Sequence, residues 1–102
     1  MDHTSLSVGL CVIQIHLPGV SSLKEKRQVL RSLKDRLRQH YNVSVAEVDH
    51  QDLWQRATIA VSAVSGEGYH LRKVMHQVER HIGTFPAVEV IDASLSLHGE
   101  DD

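Results

Sequence analysis

The chain has 102 residues, with 11 Lys or Arg and 13 Asp or Glu, so its formal net charge is −2 at pH 7. This length favours a single domain over residues 1–102 with a core of modest size. Hydrophobic residues at 41% and charged residues at 24% lie near globular averages and exclude wholesale disorder, except at the ends (residues 1–5 and 98–102), which we expect to be loose.

The first predicted elements are a strand over residues 6–17 and a helix over residues 23–40. The strand is apolar on both faces, which is typical of a central strand. This apolar stretch lacks the basic flank of a signal peptide, and it is too short to span a bilayer. We therefore expect a cytoplasmic protein without a membrane segment. Ser22 and Glu25 form a capping-box pattern where the helix begins. The predicted buried residues of this helix are Leu23, Leu30, Leu33 and Leu37.

Three further strands and a second helix follow. Residues 42–49 and 55–65 read as strands, and residues 66–68 (Gly-Glu-Gly) as a turn. A second amphipathic helix ends at Gly83, a predicted C′ residue, and a last strand covers residues 87–97. The order β-α-β-β-α-β predicts an α+β ferredoxin-like sandwich, a four-stranded antiparallel sheet with two helices on one face. The first and third strands should be central and the second and fourth should be edges.

The charge distribution is strongly asymmetric. Residues 23–40 hold seven basic and two acidic residues, a net charge of +5, whereas the rest of the chain holds four basic and eleven acidic residues, a net charge of −7. Five of the basic residues are spaced by three or four and share one side of the predicted helix. We call them the basic stripe: Lys24, Arg27, Arg31, Lys34 and Arg38. The stripe is predicted to bind phosphate, with two alternatives: it forms a solvated face, or it pairs with Glu47 and Asp49 on the following strand.

Three separated segments resemble one bacterial family. They are Ser-Leu-Lys-Glu-Lys-Arg at residues 22–27, Tyr-Asn-Val-Ser-Val-Ala-Glu-Val at residues 41–48 and Asp-Leu-Trp-Gln at residues 52–55. Together they make nearly the whole chain similar to the YlxP-like family, a domain family of unknown function. The resemblance implies a small, cytoplasmic, ferredoxin-like protein whose genes neighbour those of translation factors and ribosome-binding factor A. It therefore implies work near RNA or the ribosome, and it supplies no catalytic or ligand residues.

Other candidate sites favour structural roles. The eight histidines include no pair at i, i+4, and Cys11 has no neighbour in the chain that would lower its pKa. Residues 66–68 lack the Lys of a phosphate loop. Trp54 is expected to cap the edge of the core, with an exposed interface anchor as the alternative. We therefore expect no catalytic site, metal or cofactor.

These patterns favour a non-catalytic protein that contacts RNA or a ribonucleoprotein through the basic stripe, with no DNA specificity. The aromatics lie at element ends or in connections, so the sheet is not expected to stack bases. The alternative is a protein-interaction or regulatory module that self-associates and binds an acidic protein or a small anionic ligand; a small enzyme is a third, weaker class. An apolar sheet face away from the helices predicts a homodimer or higher homo-oligomer. Besides every second residue of the first strand, this face is expected to contain Ala60, Ser62, Val64, Val88 and Val90.

Overall fold

The sheet and helices have the predicted ferredoxin-like arrangement in the computed structural model, which describes residues 6–99. The elements in chain order are β1 (Ser7–His16), α1 (Leu23–His40), β2 (Ser44–Asp49), β3 (Arg56–Ser65), α2 (Gly68–Gly83) and β4 (Glu89–Gly99). The four strands form one antiparallel sheet in the order β2-β3-β1-β4. The α+β fold class is therefore confirmed, with β1 and β3 in the centre and β2 and β4 at the edges.

One core joins the helices to a single face of the sheet. Along β1 every second residue is buried, because alternate side chains of a strand point to opposite faces. Gly9 belongs to this buried set, and a Cβ atom there would lie 3.0 Å from Met75 Cγ of α2. The largest fully buried apolar side chains are Ile13, Ile15, Leu17, Leu33, Leu37, Ile59, Leu71, Met75, Ile82, Val61 and Val78.

The start of α1 confirms the predicted cap, with a small shift. The Ser22 hydroxyl accepts a hydrogen bond from the Glu25 N–H at 3.1 Å, which satisfies a free donor of the first turn. The Glu25 carboxylate accepts from the Ser21 N–H at 3.0 Å and from the Ser21 hydroxyl at 2.9 Å, one residue before the expected partner. These two hydrogen bonds lower the pKa of Glu25 because they favour the charged carboxylate.

The last strand differs from its predicted pattern. Ala87 has a left-handed backbone with φ of 69°, so β4 begins two residues later, at Glu89. A bulge then shifts the register between β1 and β4, and Val90 becomes the partner of Ile15 on the helix side. Val88 is buried. Assigning Val88 and Val90 to the opposite sheet face was therefore wrong, because simple alternation does not continue through a bulge.

Several predicted boundaries also move. Gly83 is the last residue of α2 rather than its C′ residue, and Thr84 caps the helix by donating its N–H to the Arg80 carbonyl at 3.2 Å. His98 and Gly99 extend β4, while the expectations for residues 1–5 and 100–102 lie outside the described residues. Neither described helix is long and apolar enough to cross a membrane.

Candidate nucleic-acid interface

The basic stripe lies along one exposed side of α1. Four of its members are exposed, and Lys34, which lies nearest to the buried leucines, is half-buried. At 1.5 Å per residue, Lys24 and Arg38 are separated along the helix axis by about 21 Å. The structure thus places the five predicted site residues on one continuous surface.

The cations of the basic stripe have no acidic partners in the described part of the chain. None of them lies within ion-pairing distance of a described carboxylate. Among the described contacts, only the Arg38 side chain makes a hydrogen bond, from Nη2 to the Val45 carbonyl at 3.3 Å. The two acids expected as partners are engaged elsewhere. Glu47 pairs with Lys26, and Asp49 accepts the His50 N–H at 2.8 Å. The predicted pairing with Glu47 and Asp49 was therefore wrong.

Lys26 is the structurally important residue of α1 that the sequence analysis missed. It is 2% exposed and takes the first place on the buried face of α1, where Leu23 was expected. Leu23 is only half-buried. The sequence contained a signal for this burial, namely the helical spacing of four, three and four residues in the series Lys26, Leu30, Leu33 and Leu37.

The Lys26 ammonium joins α1 to the connection between β2 and β3. Its Nζ donates to the carbonyl oxygens of His50 and Leu53, each at 2.6 Å, and lies 2.7 Å from Glu47 Oε2. The buried Oε2 accepts no well-aligned hydrogen bond, so its contact with Lys26 is mainly electrostatic. The two carbonyl oxygens accept hydrogen bonds from the ammonium, and the Glu47 carboxylate balances its charge. A buried charge is costly unless it is paired. Moving the connection away from α1 would leave the buried ammonium without these partners, so the contacts hold the connection against the helix.

The connection over residues 50–55, the β2–β3 connection, is anchored on both sides of an exposed Trp54. His50 adopts a left-handed backbone with φ of 64°, and its Nδ1 is 2.9 Å from Thr58 Oγ1. The Gln55 amide donates to the Val20 carbonyl at 3.0 Å. Trp54 itself is 52% exposed. The expectation that it caps the core edge was therefore wrong, and the alternative of an exposed indole describes it.

Two other candidate groups occupy structural positions. Cys11 is buried, and desolvation, followed by the charge of Glu79, raises the pKa of its thiol to about 11. At the far end of α1 the rings of His40 and His81 lie 5.1 Å apart. Desolvation, with smaller effects of His40 and Arg36, lowers the pKa of His81. Within residues 6–99 no three His, Cys, Asp or Glu side chains are arranged to hold a metal ion.

Comparison with known proteins places the chain in a family. The family model described as "Protein of unknown function (DUF503)" matches residues 8–95. The protein named "Uncharacterized protein YlxP" of Bacillus subtilis strain 168 is 34% identical over 82 residues, which cover 80% of this chain and 89% of that protein. The designed protein Foldit4 has a similar structure over 91% of this chain and 94% of the designed chain, with 8% sequence identity and a TM-score of 0.50. This likeness concerns the fold only. The chain therefore belongs to the DUF503 family, and its resemblance to YlxP-like proteins is confirmed.

Proposed function

We propose that this protein is a non-catalytic binding protein that contacts RNA or a ribonucleoprotein through the basic stripe. The observation that carries the proposal is the row of five cations, about 21 Å long, that forms no ion pair with any described acid. Phosphate groups are the natural partners of such a row, because they bring regularly spaced negative charge.

The charge of the remaining chain supports one orientation of binding. Residues 23–40 carry +5, while the other described residues hold four basic and seven acidic side chains, a net charge of −3, so the described part of the molecule is electrostatically dipolar. A polyanion is attracted to the α1 side and repelled from the acidic remainder. Phosphate contacts position a protein without reading sequence, so affinity should depend on charge and shape more than on base sequence.

Salt dependence tests the proposal directly. Binding of a fluorescein-labelled ribosomal RNA fragment is measured by anisotropy between 50 and 300 mM salt. Five phosphate contacts predict a slope of log K against log salt of roughly −3 to −5. Replacing Arg27, Arg31 and Lys34 together by Gln should flatten the slope by about 2 to 3. The fold should survive, because none of the three belongs to the buried face of α1.

The matched control removes three exposed cations from the other helix. Arg72, Lys73 and Arg80 of α2 are also exposed, and their replacement by Gln changes the net charge equally. This variant should keep most of the salt dependence. If the stripe variant and the parent bind with the same affinity and slope, the basic stripe is a solvated face. The RNA proposal then gives way to the protein-interaction module.

The sheet face opposite the helices supports that second candidate. Leu10 and Val12 of β1 lie at its centre, flanked by the small partners Ser62, Ser96, Ala60 and Ser94. Val64 on the same face is 66% exposed. A shallow depression of about 150 Å³ there is lined by Leu10, Ser44, Val45, Ala46, Ala60 and Ser62. We infer that a second copy of the chain can cover this apolar face, giving a homodimer or a higher homo-oligomer.

A further inference from the structure

We propose that Trp54 is a stacking platform for an unpaired base of single-stranded RNA whose phosphates follow the basic stripe. This inference rests on the proposed function and names its substrate class. An indole ring presents a flat π face to any base, and such stacking is tolerant of sequence. The platform belongs to the β2–β3 connection, in contrast to RNA-binding sheets that stack bases on their central strands.

The backbone on both sides of Trp54 is tied to the segment where α1 begins. On one side the Leu53 carbonyl accepts from Lys26 Nζ at 2.6 Å. On the other side the Gln55 carbonyl accepts from the Leu17 N–H at 2.9 Å, and the Gln55 amide donates to Val20. An exposed indole is thereby held close to the first turn of the basic helix. A pre-organised ring loses little conformational freedom when a ligand binds.

The surroundings of Trp54 suit a nucleotide. A depression of about 420 Å³ is lined by Asp52, Leu53, Trp54, Gln55 and Arg56. Arg56 donates from Nη2 to Gln14 Oε1 at 3.2 Å, while its buried Nε has no partner in the described structure. Lys24 and Arg27, which flank Lys26 in the chain, are exposed and unpaired among the described residues. The apolar face of the ring complements a base, while Asp52 in the same lining would repel a phosphate, so the phosphates are expected to lie toward the exposed cations of α1 and outside this depression.

The charge pattern favours RNA over a protein partner at this position. Trp is also common at protein interfaces, but the centre of such an interface is usually depleted of charged residues. Trp54 instead is exposed in a connection that is tied to Lys26, in the first turn of the helix that carries the basic stripe. A single strand of RNA can occupy both features at once, because its bases can splay out while its backbone follows the charge.

The test uses the fact that Trp54 is the only tryptophan of the chain. The parent protein is titrated with an eight-residue uridine oligonucleotide at low salt, and intrinsic fluorescence is recorded. Stacking predicts saturable quenching. In parallel, anisotropy of the labelled oligonucleotide should show that Trp54→Leu weakens binding by about 5- to 150-fold while the salt slope stays unchanged. Trp54→Phe, which keeps a π face, should retain most of the affinity.

A control variant and a duplex competitor make the outcome decisive. Tyr69, which is 85% exposed at the start of α2, is changed to Leu and should have little effect. Unquenched fluorescence, equal losses in Trp54→Leu and Trp54→Phe, or equal competition by duplex RNA would overturn the stacking role. The proposed function would survive any of these results if the slope still depended on the basic stripe. Loss of that dependence would remove the proposed function as well.

Discussion

Replacing Lys26 by Met should destabilise the protein far more than any other change of charge on α1. The substitution keeps a long side chain on the buried face but removes the ammonium from Glu47 and from two carbonyl oxygens. Removing one partner of a buried ion pair costs about 3 to 5 kcal/mol. The Glu47 side chain is 18% exposed, so water can relieve part of its charge. We therefore expect a loss near the lower end, about 3 kcal/mol.

Urea denaturation measures this loss. With a slope of about 1 to 2 kcal/mol per molar urea for a small domain, the midpoint should fall by roughly 1.5 to 3 M. Lys24→Met is the matched control, since Lys24 is exposed in the same turn, and it should change stability by less than about 0.5 kcal/mol. Changing Glu47 to Leu together with Lys26→Met should restore part of the stability, because no buried charge is then left unpaired.

Equal effects of Lys26→Met and Lys24→Met, or a loss below about 1 kcal/mol for Lys26→Met, would refute this reasoning. Either result would mean that the ammonium does not hold the β2–β3 connection in place. The position of Trp54 would then have no structural basis in Lys26.

Three further predictions follow from the packing. Gly9→Ala should cost about 1 to 3 kcal/mol in urea denaturation, because its Cβ would lie 3.0 Å from Met75 Cγ; unchanged stability would show that the side chain moves away freely. Cys11 should react with a thiol reagent at pH 8 only after unfolding, because burial raises its pKa to about 11, whereas rapid labelling of the native protein would contradict its buried position. Light scattering should find an oligomer at micromolar concentration, and the double substitution Leu10→Lys and Val64→Lys should dissociate it. A monomeric parent would rule out association through the sheet face opposite the helices.

The fold was largely predictable because local patterns agree with one another. Alternating apolar residues predict β3, and a strand that is apolar on both faces predicts the central position of β1. The Ser22 cap predicts where α1 begins. The helical spacing of the basic stripe also placed its members on one exposed side. Each of these features depends on residues close together in the chain, where periodicity is informative.

The parts that escaped prediction depend on contacts distant in sequence. Lys26 was not expected on the buried face, because Lys is rarely buried unless it is paired, and its oxygen partners on β2 and in the β2–β3 connection are distant in sequence. The exposure of Trp54 follows from the same contacts, which hold its neighbours and leave the indole outside. Likewise Val90 faces the helices only because a bulge shifts the pairing of β4 with β1.

Ribosome co-sedimentation at low and high salt tests the central claim most directly. The parent protein should pellet with ribosomes at about 50 mM salt and be released at about 300 mM, as expected for phosphate contacts. The variant with Arg27, Arg31 and Lys34 changed to Gln should stay in the supernatant, while the variant with Arg72, Lys73 and Arg80 changed to Gln should pellet like the parent. Equal sedimentation of the two variants, or absence of the parent from the pellet at low salt, would contradict a ribonucleoprotein contact through the basic stripe.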